Sequence, residues 1–226
     1  GLAMLNSRPT CAETKQALQS LARGKRVGCD GVSNDVLTAA AESPAFVRLT
    51  NRHHNEFFET GVKPKAWEVE EQAAAHKKGD IEQPNNKRAL NFSSCDSKAF
   101  EKSLMPRLMR FLRAYDLISD YQFGAVPGRS SDEYMVLLAV LLAEHGAIDI
   151  LATDEVKAFP SRRRQVTLVS LARKGIIGKM LRALMELISG LRARVVAGQA
   201  KSFEYAMLDT LPEGKVQCCN HRHTCH

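Results

Sequence analysis

The chain has 226 residues, 44% hydrophobic and 25% charged, and its 32 Lys and Arg outweigh 25 Asp and Glu for a formal charge of +7. That composition belongs to a globular protein and excludes a wholly disordered, collagen-like or linker polypeptide, and the longest apolar run, 135–143, is shorter than the ~18 residues of a membrane span. The basic balance points either to a polyanion, nucleic acid or an acidic surface, or to ordinary solubility. The opening Gly1-Leu-Ala-Met-Leu5 has no basic flank and does not read as a signal peptide. Residues 11–23 have the pattern of a short amphipathic helix, broken by the glycines of 24–31. Ser33 is placed to cap a helix through about Ala41, and 46–60 reads as a further helix stopped by Gly61-Val-Lys-Pro64.

Two short strands near 68–76 and 88–92 flank the turn-rich Lys77-Lys-Gly-Asp80 and Pro84-Asn-Asn86 and predict a basic hairpin. Over 97–118 the stripe Phe100, Leu104, Leu108, Phe111 or Leu112, and Tyr115 predicts a helix, with Arg107, Arg110 and Arg113 off the stripe. A loop over 124–131 precedes a helix beginning at Ser131 or Asp132 and running through Glu144. Residues 148–153 read as a buried strand. Two helices divided by Gly175-Ile-Ile-Gly178 occupy 164–191, and 192–207 alternates about Gly198-Gln199 as a β-hairpin. No internal repeat is present. Cys11, Cys29 and Cys95 are scattered, as reduced intracellular thiols are, whereas Cys218, Cys219 and Cys225 crowd the last nine residues with three histidines.

Several of these segments match, in order, the motifs of one family. Gly24-Lys-Arg-Val-Gly-Cys-Asp-Gly-Val32 resembles its "GK-x-x-G-x-DG-I" entry, and Phe57-Phe-Glu-Thr-Gly-Val-Lys-Pro-Lys-Ala-Trp67 its "F-x-x-G-x-x-P-x-x-W" stretch. Lys77-Lys-Gly-Asp80 with Asn86-Lys-Arg88 resembles "KKGD…N-Y-R-P-I". Phe100-Glu-Lys102, Arg107-Leu108 and Gln122-Phe-Gly-Ala-Val-Pro-Gly-Arg-Ser-Ser131 follow, then Asp154-Glu-Val-Lys-Ala-Phe159, similar to motif A, and Gly175-Ile-Ile-Gly178. The family is the reverse transcriptase (RNA-directed DNA polymerase) domain of non-LTR, LINE-like retrotransposons. The resemblance runs from about Ala17 to Gly214.

The resemblance implies an α+β fold: a helix-rich fingers and palm fragment of a right-hand polymerase, with a short fingers hairpin and an incomplete palm sheet. It divides the chain into a helical lead-in (1–23), a fingers-like region (24–145), a partial palm (146–214) and an irregular Cys/His tail (215–226). It implies Mg²⁺ at Asp154, the first metal carboxylate of a two-metal polymerase site, where the competing reading is a strand-end Asp. Phe159 falls at the position of the steric gate against a ribose 2′-hydroxyl, or is a core aromatic. Lys77, Lys78 and Arg88 would bind the incoming triphosphate, or form a solvated face. Arg129 would touch the template or primer backbone, and Arg162, Arg163 and Arg164, with Arg107, Arg110 and Arg113, would be further phosphate contacts or a solvated face.

The departures are as informative. Pro160 stands where motif A normally ends in Asp, Thr210-Leu-Pro-Glu-Gly214 keeps only Pro212 and Gly214 of motif B, and no Tyr-x-Asp-Asp string occurs. Glu68-Val-Glu-Glu71 puts acid where the family tends to be apolar. One carboxylate cannot assemble a metal pair, so the expectation is a truncated or degenerate retroelement product, inactive as a polymerase alone. The alternative is a co-opted RNA-binding or assembly module. Expected partners are RNA or an RNA/DNA template-primer and a larger ribonucleoprotein assembly, with no membrane, in a nuclear or ribonucleoprotein setting. The tail's ligand spacing is poor for structural zinc.

Overall fold

Local capping sets most helix boundaries. The computed structural model describes residues 1–83, 86–124, 126–153 and 163–207. α1 (Leu2–Asn6) is a short helix that buries Leu5. α2 (Cys11–Gln19) opens on a capping box, in which the Thr10 hydroxyl accepts from the Glu13 N–H at 3.2 Å and Glu13 Oε2 accepts from the Thr10 N–H at 2.8 Å. It stops short of residue 23 because Ser20 Oγ donates back to the Ala17 carbonyl and closes the final turn. Ser33 caps α3 (Asn34–Ala40) as expected, accepting from the Val36 N–H at 3.2 Å. α4 (Pro44–Thr60) begins on Ser43 with Pro44 in its first turn. It ends at Gly61, whose φ of +76° and N–H bond to the Phe57 carbonyl at 2.7 Å complete a left-handed cap.

α5 (Cys95–Ala114) buries Phe100, Leu104, Leu108, Phe111 and Leu112. The helix ends four residues before 118, because Asp116 takes a φ of +51° and the Leu117 N–H bonds the Leu112 carbonyl at 2.8 Å. Tyr115 is therefore outside the helix and exposed rather than in its stripe. α6 is Ser131–His145, α7 is Arg164–Arg173 and α8 is Lys179–Ile188, the last two separated at Gly175–Gly178 as the sequence indicates.

The expected hairpin is β1 (Val69–His76) and β2 (Lys87–Phe92), antiparallel. β3 (Arg192–Ala197) turns at Gly198 into β4 (Ala200–Lys201), and β5 (Tyr205–Ala206) returns along β3. β3 pairs parallel to β1, Val69 opposite Arg192 through Gln72 opposite Val195, so the sheet order is β2-β1-β3-β4 with β5 also on β3. The fold is α+β with a small mixed sheet. The segment 148–153, expected as a buried strand, is not a strand: it pairs with no neighbour among the described residues, and Ile150 and Leu151 are 61% and 89% exposed. A strand is held by its ladder, and an apolar sequence without a neighbouring edge does not make one.

α5 runs through both apolar clusters. One gathers Leu5, Phe57, Phe58, Trp67, Phe100, Leu104 and Leu108 with Met180, Leu184 and Leu187 of α8. The other joins Leu18, Leu21, Leu37, Ala41 and Val47 to Cys95 and Ala99. Within the first, the rings of Phe57, Trp67 and Phe100 lie 5.1–5.6 Å apart, contacts that add ~0.5–1.5 kcal/mol per pair beyond burial. α6 stands apart from this pattern. It is apolar around its whole circumference, yet none of its residues is buried, and Met135, Val136, Val140 and Leu142 are exposed. Among the described residues no helix is long and apolar enough to cross a membrane.

Candidate nucleic-acid interface

The free end of the hairpin is cationic because its sequence alternates little there and places Lys and Arg on both sides of the turn. The Lys77 N–H donates to the Asn86 carbonyl at 2.8 Å, which holds Lys77 and Lys78 at the tip, both exposed. Arg88 lies opposite Ala75, and Lys87 opposite His76. Successive side chains alternate across a strand, so Arg88 belongs to one face and Lys87 to the other. Among the described residues none of these four cations has a carboxylate partner. The nearby Asp80 instead accepts from the Glu82 N–H inside the turn. The sequence-predicted Lys77, Lys78 and Arg88 are thus brought together at one end of one hairpin.

A second cationic group lies farther down the face that carries Arg88. Cross-strand partners share a face, so Glu71 of β1, Phe92 of β2 and Arg194 of β3 stand together. Glu71 is buried, and its Oε1 accepts from Arg194 Nη2 at 2.8 Å and Nε at 3.2 Å and from Lys201 Nζ at 3.0 Å. Arg26 Nη2 lies 3.8 Å from Oε2. Burial pushes the Glu71 carboxyl up, but the bonds from Lys201 and Arg194 outweigh it and hold the group below the usual carboxylate range. Arg26 is placed by the 24–31 loop, which presses on the junction of β2 and α5. At Gly28 a Cβ would come within 2.7 Å of the Ser93 carbonyl oxygen, so only glycine permits that approach. The Arg26 guanidinium then sits 5.2 Å above the Phe92 ring. Beside it the Cys29 thiol donates to the Val69 carbonyl, and burial pushes that thiol up, away from thiolate chemistry.

The remaining predicted residues are dispersed. Arg129 pairs with Asp120 at 3.3 Å and lies 5.7 Å over the Phe123 ring, bracing its own loop. Arg163 is exposed, and Arg164, the first residue of α7, is buried. Arg107 is also buried rather than presented to a ligand. Asp154, Phe159 and Arg162, and the tail with its Cys and His residues, lie outside the described residues. Among the described residues no group of three or more His, Cys, Asp or Glu side chains is placed to hold a metal ion. Cys11, Cys29 and Cys95 are free thiols.

Sequence reasoning missed Arg26, Arg194 and Lys201. The signal within reach was Glu71, an acid whose same-face neighbours on the strand, Val69 and Ala73, are apolar, which calls for a cation on an adjoining strand. Compared with known protein families and with curated protein sequences, the chain matches none.

Proposed function

We propose that this chain is a reverse-transcriptase-like module, fingers with a partial palm, that holds RNA or an RNA/DNA hybrid and does not polymerise on its own. The observation that carries the reading is the hairpin end, where Lys77, Lys78 and Arg88 converge, exposed and without carboxylate partners among the described residues. Unpartnered cations at the end of a protruding hairpin keep their full charge for phosphate and release counterions when they meet it. The ordered motifs from Gly24 to Gly178 supply the polymerase part of the reading, and the lack of a Tyr-x-Asp-Asp string in these 226 residues supplies the inactivity. The Mg²⁺ of such enzymes would steady phosphate charge, and Asp154 is the position to which the resemblance assigns its carboxylate ligand.

The test is binding of a fluorescent single-stranded RNA across a salt series. Log affinity should fall linearly with log salt, and the Lys77→Ala/Lys78→Ala/Arg88→Ala variant should lower that slope by about 2, at ~0.7 per lost contact. No salt-sensitive binding by the parent chain would sink the reading. A primer-extension assay with Mg²⁺ should give no product. Extension abolished by Asp154→Ala would instead identify a working polymerase.

A further inference from the structure

The hairpin end leaves the Glu71 group unused. One buried carboxylate there gathers three cations, Arg26, Arg194 and Lys201, drawn from a loop and two strands. The charge does not cancel. Arg194 spends Nε and one Nη on a single oxygen, and Lys201 spends one of its three donors. Arg26 makes no hydrogen bond among the described residues and is held in position over Phe92. Arg26 and Lys201 are 43% and 49% exposed, so their remaining donors reach solvent. Arg192 on the same strand does not join them, being paired with Glu68 and Glu204.

Position along the sheet ties this group to the hairpin. Glu71 and Ala75 lie on one face of β1, and Ala75 is opposite Arg88. Four residues of strand span ~13 Å. Between the two ends β1 presents Ala73 and Ala75 on this face and β2 presents Leu90 opposite Ala73, uncharged side chains that bring no carboxylate against a strand lying along the sheet. A duplex strand carries one phosphate per ~3.4 Å of axis, so a single backbone can reach both ends at once.

We propose that Arg26, Arg194 and Lys201 form a second phosphodiester-binding point on the sheet face, held in place by Glu71 and continuous with the hairpin across this uncharged floor. This rests on the nucleic-acid-binding reading above and adds the path the backbone takes. Glu71 acts as a positioning residue and touches no ligand.

The experiment compares Arg26→Ala/Lys201→Ala with the hairpin triple variant in the same salt series, using single-stranded RNA and an RNA–DNA duplex of equal length as probes. The double variant is expected to lower the salt slope by about 1.4 for single strands, and combining it with the hairpin variant should lower the slope by the sum of the two. The two exposed cations can be removed without opening the core, and an unchanged thermal midpoint checks this. As a second probe, Arg26→Lys, which keeps the charge but loses the fork, should retain the slope and weaken affinity. A folded Arg26→Ala/Lys201→Ala protein with the parent slope and affinity overturns this inference. If the hairpin variant weakens binding in that case, the proposed function stands. If neither variant has an effect, both fall.

Discussion

Arg107→Ala is expected to destabilise the protein by about 3 kcal/mol, the low end of what breaking a buried charge pair costs. Arg107 projects from α5 into a shell made by the first two helices. Its Nε and Nη2 donate to the two carboxylate oxygens of Glu13 at 2.6 Å each. Nη1 donates to the Ser7 carbonyl and hydroxyl, and Nη2 to the Arg8 carbonyl at 2.9 Å. The guanidinium thereby closes the chain reversal between α1 and α2, whose carbonyls have no helical partners. Burial pushes the Glu13 carboxyl up, but Arg107 and Thr10 outweigh it and hold it at about 2, against an ordinary 4.5. Lysine at 107 cannot reproduce the forked contact, so Arg107→Lys should recover less than half of the loss. Urea unfolding measures both. A cost below about 1 kcal/mol for the alanine variant would mean that this shell is not what anchors α1 and α2.

A loss of similar size is expected from Asp96→Ala. Asp96 lies in the first turn of α5, where a carboxylate also suits the helix terminus. Its Oδ1 accepts from His54 Nε2 at 2.9 Å and its Oδ2 from Trp67 Nε1 at 3.1 Å, with His53 at 3.7 Å. His54 is fully buried, and its Nδ1 has no hydrogen-bond partner. Removing Asp96 strands His54 Nε2 and the indole N–H of Trp67, about 2–4 kcal/mol of unmet polar groups. Asp96→Asn keeps an acceptor for the indole and should cost less.

The pH dependence follows with a definite sign. Burial raises the Asp96 carboxyl, but His54, His53 and Trp67 outweigh it and set it below its ordinary 3.8. Asp96 and Glu13 therefore bind protons more weakly folded than unfolded, so stability is present above about pH 4.5 and is lost as pH falls toward 2. Unfolding free energies at pH 6 and pH 3 should differ more for the parent than for Glu13→Gln/Asp96→Asn. Equal differences would remove these two groups as the cause.

How much of this was legible depended on distance along the chain. Ser33 and Gly61 act on backbone groups within four residues, so the helix ends they set could be read from the sequence. The β1–β2 hairpin was equally local. Pairing of β1 with β3, Glu71 with Arg194, crosses 123 residues, and no window of local periodicity contains it. With that pairing hidden, Glu71 read as an anomaly and its cations were missed. Arg107 was misjudged for a similar reason: its position off the apolar stripe is visible locally, whereas its partner Glu13 is on another helix. The 148–153 segment failed in the opposite direction, because apolar alternation marks a willing strand but not the edge it needs.

The exposed apolar circumference of α6 reaches beyond binding into calorimetry. Unfolding raises heat capacity in proportion to apolar surface newly wetted, ordinarily ~12–15 cal/mol/K per residue. Surface that is already wet in the native state adds nothing to that change. The protein should therefore unfold with a heat-capacity increment per residue below that range, and its stability should vary less with temperature between ice-cold and body heat. An increment within or above the range would show that in solution α6 is not wet at all but covered.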